Sequence, residues 1–211
     1  MRAIAISPEQ FRSQAAILDR MHQLRARVFH DRLNWDVMVR DGRERDEFDL
    51  CQPTYILVVD PREAVVGAVR LLPALGPTLL SVLFPEFEGQ GLFRPHATMI
   101  ESSRFCVDTS ITGAPEASGQ GHALHTATWT LFAAIIEWSI ANGYDELITA
   151  TDLRIERILR RAGWPMTRVG APKPIGNTKA LVGLLPTDRA SFETVRPASY
   201  ASLLRPIRRV A

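Results

Sequence analysis

The chain is poor in the residues that build covalent or metal-held scaffolds. It has two cysteines, Cys51 and Cys106, each in an apolar stretch, so they are expected as small core residues and not as a disulfide or a metal site. Five histidines are scattered, and His122 with His125 at i, i+3 is too little for zinc, so no metal site is expected. There is no excess of one charge. With 25 basic and 23 acidic residues the formal net charge is +2, which gives nucleic acid no claim as the main partner. No uncharged apolar run is long enough to span a bilayer, and the opening MRAIAISPEQFRSQ lacks the apolar core and cleavage site of a secretory signal, so a cytoplasmic protein is expected.

What is present is ordinary for a soluble globule: 211 residues, 46% hydrophobic and 23% charged, enough for one domain with a sizeable core. Phe11, Ala15, Leu18, Met21, Leu24 and Val28 recur at steps of three and four, which predicts an amphipathic helix from Pro8 to about Phe29. A charged, loop-like stretch follows to Cys51. The β-branched and aliphatic runs Thr54–Val59 and Val65–Leu72, separated by five residues with Asp60 and Pro61, predict an antiparallel hairpin. Further strands are expected at Thr98–Val107, Glu146–Thr151 and Ala180–Leu185. A buried helix is expected from about His122 to Ala141, ended by Asn142 and Gly143, and a short one from Leu153 to Ala162. Strands come first as a hairpin and later between helices, so the fold class is α/β: a mixed sheet with helices packed on it. The tail from Asp188 to Ala211 carries no chemistry that can be named and is expected to be a capping or partly disordered segment.

Several charges stand where a core should be. Arg70 sits inside VVGAVRLLP, and a buried arginine costs several kcal/mol, on the order of 3–5, when its partner is missing. Glu101 and Arg104 are similarly placed in IESSRFCV. On an ideal strand they would face opposite ways, and they share a face only if an extra residue is inserted near Ser102 or Ser103, a β-bulge. An edge strand with one solvated face explains that pair equally well. Arg25 lies beside the first helix's apolar stripe, and Glu44, Asp46 and Asp49 crowd into GRERDEFD. Together these residues could pair into a cluster suited to a zwitterionic ligand. Phe29 and Trp35 flank the acidic loop, where an aromatic face beside carboxylates can hold a sulfonium, although periodicity alone favours plain core packing.

The set Arg25, Phe29, Trp35, Glu44, Asp46, Asp49, Arg70, Phe84, Glu101 and Arg104, in the contexts LRARVF, LNWDV, GRERDEFD, GAVRLLP, VLFPE and IESSRF, resembles the signature of LuxI-type acyl-homoserine lactone synthases. The likeness runs from about residue 20 to 185. It implies a GNAT-like N-acyltransferase fold and a two-step reaction: acylation of the amine of S-adenosylmethionine, then lactone closure with release of methylthioadenosine, to make a quorum-sensing signal. By the same resemblance Phe29, Trp35, Asp46, Arg104 and Phe105 line the S-adenosylmethionine pocket, with Arg25, Asp49, Arg70 and Glu101 in the charged network around it. Glu101 would be the general base, Arg104 would orient the methionine carboxylate, and the strand near Ser103 would supply oxyanion donors. Ser103 and Thr149 would line the acyl channel, Thr149 pointing to a 3-oxo-acyl chain. S-adenosylmethionine is then a substrate, and no cofactor is implied.

The acyl donor in most of that family arrives on acyl carrier protein, an acidic partner, with acyl-CoA as the alternative. A complementary basic surface is predicted on DLRIERILRRAGW, where Ile155, Ile158 and Leu159 form the buried stripe and leave Arg154, Arg157 and Arg161 outward, with Arg160, Arg168 and Lys173 nearby. A solvated helix face is the competing explanation. Two other functions compete with lactone synthesis. A generic acetyltransferase using acetyl-CoA would use EASGQGHA, Glu116–Ala123, as a pyrophosphate loop, and a non-catalytic S-adenosylmethionine sensor would bind without turnover.

Overall fold

A computed structural model of the chain describes residues 1–85, 93–108, 110, 121–175 and 178–204. Among these, eight strands form one mixed sheet: β1 (Arg2–Ile6), β4 (Thr54–Val59), β5 (Val65–Pro73), β6 (Met99–Val107), β7 (Glu146–Asp152), β8 (Thr167–Ile175), β9 (Thr178–Pro186) and β10 (Ser202–Leu203). Their order is β10-β1-β4-β5-β6-β7-β9-β8. The β1–β10 and β6–β7 pairs are parallel, and the β4–β5, β5–β6, β7–β9 and β8–β9 pairs antiparallel. β2 (Val39–Arg40) and β3 (Arg43–Glu44) make a separate hairpin. The expected β4–β5 hairpin and the mixed, helix-flanked GNAT-like sheet are what the chain forms.

Both faces of the central strands are covered, which is why they read as unbroken apolar runs. Along β4, Tyr55, Leu57 and Val59 pack with Leu18, Met21, Leu24 and Phe29 of the N-terminal helical segment. The alternate residues Ile56 and Val58 pack with Leu131, Ile135 and Trp138 of the long helix α3 (Gly121–Ala141), as the two-residue strand period requires. Gly143, with φ of +75°, ends α3 and lets the Tyr144 N–H donate to the Ser139 carbonyl at 2.9 Å, a Schellman closure. Cys106 is buried and Cys51 half-buried, both as free thiols.

The N-terminal helix differs from the expected single run. Residues Pro8–Gln10 form a 3-10 turn, α1 spans Ala15–Arg25, and the chain then widens into a π-helix over Ala26–Arg32. The Leu33 N–H reaches back five residues to the Val28 carbonyl at 3.0 Å. Hydrophobic periodicity cannot distinguish these windings over so few turns. Asp188, by accepting from the Ser191 N–H at 2.7 Å, starts a helix, α5 (Arg189–Val195), that inserts Phe192 and Val195 into the core. β10 then completes the sheet edge beside β1. Residues 188–204 are thus an integral part of the fold.

Two irregularities in β6 prepare the site. Arg70 pairs with Ser103 but Ala68 pairs with Cys106, so β6 carries one extra residue against β5. Arg104, with φ of +55°, sits in that bulge. The bulge therefore falls one to two residues beyond the expected Ser102 or Ser103. Moreover, β6 and β7 pair only from Met99 and Glu146 to Ser102 and Thr149. Beyond that point the two strands continue unpaired, and a cleft opens between them. Replacing Phe192 with alanine should cost about 3 kcal/mol, read as a lower urea midpoint. An unchanged midpoint would show that α5 adds nothing to the core.

Candidate active site

The bulge changes which residues share a face. Ile100 and Val107 pack on the α3 side and Cys106 on the α1 side. With one residue inserted, Glu101, Ser103 and Arg104 all fall on the α1 side, where Arg70 lies on β5. Glu101 and Arg104 thus share a face through an extra residue.

Two short elements bring carboxylates to that face. The β2–β3 hairpin turns through Asp41 and Gly42, at φ of +50° and +71°; both values are left-handed, as a two-residue Asp-Gly hairpin turn requires. Arg43 of the hairpin pairs with Asp19 of α1, and the next residue, Glu44, is fully buried. A 3-10 turn over Glu47–Leu50 begins with a reciprocal cap. The Phe48 N–H donates to Asp46 at 3.0 Å and the Asp46 N–H donates to Asp49 at 2.9 Å, which fixes both side chains.

The result is a charge-balanced buried network of Arg25, Arg70 and Arg104 with Glu44, Asp46 and Asp49. Arg25 donates through Nε to Glu44 and through its two terminal nitrogens to Asp49 at 2.8 and 3.0 Å. Arg70 donates to Asp46, to Asp49 at 3.0 Å and to the Ser103 hydroxyl at 3.1 Å. Arg104 donates to Glu44 at 3.0 Å and lies 2.8 Å from Asp46 Oδ2. Tyr55 donates its hydroxyl to Asp49 at 2.7 Å. Burial pushes the Asp49 carboxyl up, but the Arg25 and Arg70 guanidiniums outweigh it and hold Asp49 well below the usual carboxylate range. One donor and one acceptor are left over. Arg70 Nη2 and Asp46 Oδ2 are buried without a hydrogen bond, Asp46 Oδ2 keeping only its ionic contact with Arg104.

Beside this network lies a cleft of about 560 Å³, within the usual size for a small-molecule site. Phe29, Trp35, Ser103, Arg104, Phe105 and Thr149 line it, as do Arg154 and Arg161. Phe29 and Trp35 stack with centroids 5.1 Å apart, and the Arg104 guanidinium lies 5.7 Å over the Phe29 ring. Thr149 donates its hydroxyl to the Ser102 carbonyl at 2.9 Å, at the last β6–β7 pair. Arg25, Asp46, Asp49 and Arg70 stand behind the lining. So does Glu101, whose carboxylate accepts from the Leu80 N–H at 2.7 Å and the Leu79 N–H at 3.3 Å, at the start of the short helix α2 (Leu79–Leu83). Burial pushes the Glu101 carboxyl up, against the pull of the Leu80 N–H, Thr78, Arg70 and Ser103.

On α4 (Leu153–Arg161), Arg154, Arg157, Arg160 and Arg161 are exposed. Two basic residues expected beside them act elsewhere. Arg168 is neutralised by Glu156 through two bonds of 2.6 and 2.7 Å. Lys173 lies half-buried over the Phe84 ring at 5.6 Å, in a cluster separate from the one α4 covers. The Glu116–Ala123 segment falls largely outside the described residues. Sequence reasoning missed Leu79, Trp129, Phe132 and Trp164 as lining residues, because an apolar residue in a core and one facing a cleft look alike in sequence. Among the described residues there is no group of three or more His, Cys, Asp or Glu that could hold a metal ion, and no helix long and apolar enough to cross a membrane.

A mixed sheet splayed between two parallel strands, with a cleft at the splay, is the architecture of an N-acyltransferase. Residues 9–195 match the model of the autoinducer synthase family, and the chain belongs to that family. It is 52% identical over 217 residues to an acyl-homoserine-lactone synthase of Rhizobium radiobacter, with all of both chains covered. It is 53% identical over 205 residues to one from Agrobacterium fabrum, covering 97% of this chain and 95% of the relative. The crystal structure of the AHL synthase LasI superposes with a TM-score of 0.76 at 28% identity, covering 92% of this chain and 93% of that one.

His22 touches the network from behind, its Nδ1 lying 2.9 Å from the Glu44 carbonyl. Burial, then the nearby Arg25, pushes its pKa down to about 4. The unfolded chain takes up this proton as pH falls through about 6.5, whereas the folded protein does so only near 4. Stability is therefore present above that window and lost as pH falls through it. Between pH 7 and 5 the loss should be about 2 kcal/mol. Urea titrations should show this slope in the protein and a flatter one in His22→Gln. Equal slopes would mean that His22 titrates normally.

Proposed function

We propose that the cleft and its charged network carry out both bond-forming steps of acyl-homoserine lactone synthesis, with an acyl carrier protein as donor. The chain is an acyl-homoserine-lactone synthase, and S-adenosylmethionine is its amine substrate. The observation that carries the site assignment is the leftover pair in the network. A substrate end bearing one ammonium and one carboxylate supplies what Asp46 Oδ2 and Arg70 Nη2 lack. Arg104 orients the carboxylate, while Phe29 and Trp35 offer an aromatic surface to the sulfonium.

In the first step the deprotonated amine attacks the thioester carbonyl and the carrier thiol leaves. Glu101 takes the amine proton through a water, since its carboxylate lies just behind the lining and burial raises its pKa above the ordinary carboxylate value, which makes it a stronger base. Backbone N–H groups of the bulged strand at Ser103 and Arg104 face the developing oxyanion. In the second step the methionine carboxylate attacks its own γ-carbon, closes the lactone and expels methylthioadenosine. The sulfonium is already a good leaving group, so holding the chain folded is the enzyme's main contribution. A 3-oxo chain would draw the Thr149 hydroxyl away from the Ser102 carbonyl.

The acyl arm enters where β6 and β7 part, and Arg154 and Arg161, which also line the cleft, belong to an exposed basic helix face with Arg157 beside them. An acidic carrier fits this face, and the attraction should be salt-sensitive. Incubating the protein with S-adenosylmethionine and matched acyl-carrier and acyl-CoA thioesters, with mass spectrometry of the products, tests the reading. Lactone and methylthioadenosine formed chiefly from the carrier thioester support it, and preference for CoA overturns the donor assignment.

Glu101→Gln should lower acylation by about a hundredfold or more while S-adenosylmethionine binding is kept. The acid limb of its kcat profile should also disappear, that limb lying above the ordinary carboxylate range in the parent. Near-parental turnover would remove Glu101 from the chemistry. Charge reversal at Arg157 should raise KM for the carrier thioester, more at low salt than at high, with affinity for S-adenosylmethionine unchanged. A KM insensitive to that reversal would leave the α4 face as mere solvated surface.

A further inference from the structure

The cleft reaches into the core, and one of its most buried lining residues is placed to measure the acyl chain. Leu147, Thr149 and Thr151 share one face of β7, and all three line the cleft. Thr151 lies where β7 has left β6, and Leu147 lies where the two strands are still paired. The cleft therefore runs from the splay to beneath the paired sheet, on the side covered by α3. The floor from Thr149 to Leu147 is one two-residue step, roughly 7 Å. Leu147 pairs with Leu185 of β9, and both line the cleft and are almost fully buried.

A row of rings marks the same direction. Phe105, next to the bulge where the thioester carbonyl is attacked, stacks on Phe132 of α3 at 5.2 Å. Phe132 in turn meets the Trp164 ring edge-on at 5.7 Å. Trp164 lines the cleft yet is only 2% exposed. Its indole N–H donates to the Pro186 carbonyl at 2.8 Å. A side chain tied to the backbone in this way cannot swing aside for a longer substrate without giving up the one partner of its buried indole N–H.

We infer that Trp164 is the stop of the acyl channel and that it restricts the enzyme to medium-length acyl chains, excluding those of palmitoyl length. The inference rests on the lactone-synthase reading of the cleft. Two ring contacts separate the reacting carbonyl from the indole, and the apolar wall of Leu147, Leu185 and Trp164 offers no polar partner to a functionalised chain end. The chain end it accepts is a plain alkyl terminus.

The test is product formation from matched saturated acyl thioesters, butyryl to palmitoyl, by the purified protein and by two variants, read as kcat/KM for each length. Trp164→Leu should raise the palmitoyl-to-octanoyl ratio by roughly tenfold or more. Trp164→Phe, which keeps an aromatic ring but drops the tie to Pro186, should raise it by less and is decisive if the leucine variant fails to fold. S-adenosylmethionine affinity should not move. If Trp164 is only part of the core, both variants lose turnover on every donor alike and the ratio stays at its parental value, which overturns the inference. If the parent itself forms no lactone from any donor, it is the functional reading that fails.

Discussion

Three guanidinium groups taken out of water govern how this half of the molecule is built. Arg25 and Arg70 are at most 1% exposed and Glu44 is fully buried. Each ion alone would cost several kcal/mol, on the order of 3–5 if its partner were removed. The fold meets this demand with carboxylates from elements too small to be stable alone: a hairpin of two-residue strands and a four-residue 3-10 turn. These elements hold the network and are held by it. The balance of three cations against three anions also explains why a site dense in charge leaves almost no trace in the net charge of the chain.

The β6 bulge connects that network to the cleft. Without the extra residue, Arg104 would point towards α3 and Asp46 would face a single arginine. With it, Ser103 and Arg104 stand together on the network side, while Phe105 turns to the opposite face and begins the aromatic row beneath α3. β6–β7 pairing ends at Ser102 and Thr149, just before the bulge, so the charged network and the cleft meet at one irregularity. A non-glycine residue held at a positive φ is costly, and here that residue, Arg104, joins the charged network to the cleft lining.

Much of this was legible in the sequence for physical reasons. The β4 and β5 runs are buried on both faces and so are continuously apolar. Arg70 stood out because nothing else in VVGAVRLLP is charged, and Arg104 because a period-two strand could not place it beside Glu101. What stayed hidden had no pattern to show. β10 is a two-residue edge strand, β1 beside it is only five residues long, and β8 is an exposed edge with glycine and two prolines, so none offers a long apolar alternation. Glu101 is anchored by backbone N–H groups of a five-residue helix, and no side-chain motif announces such a partner. Lys173 was grouped with the α4 arginines by nearness in sequence, but β8 carries it to the Phe84 ring. Trp164 carries no signal of its own in the sequence: it is buried in the core, and that it also lines a cleft depends on which strands part.

The network is complete except for one donor and one acceptor, the two atoms proposed above to meet the charged end of the substrate. Titration calorimetry comparing S-adenosylmethionine with its decarboxylated analogue tests this directly, because the analogue keeps the sulfonium and the adenosine and loses only the carboxylate that Arg70 and Arg104 would receive. A charge-assisted contact is worth about 1.5–3 kcal/mol, so the analogue should bind at least about tenfold more weakly. Equal affinities would mean that the buried arginines serve the fold alone and that the substrate's charged end lies elsewhere.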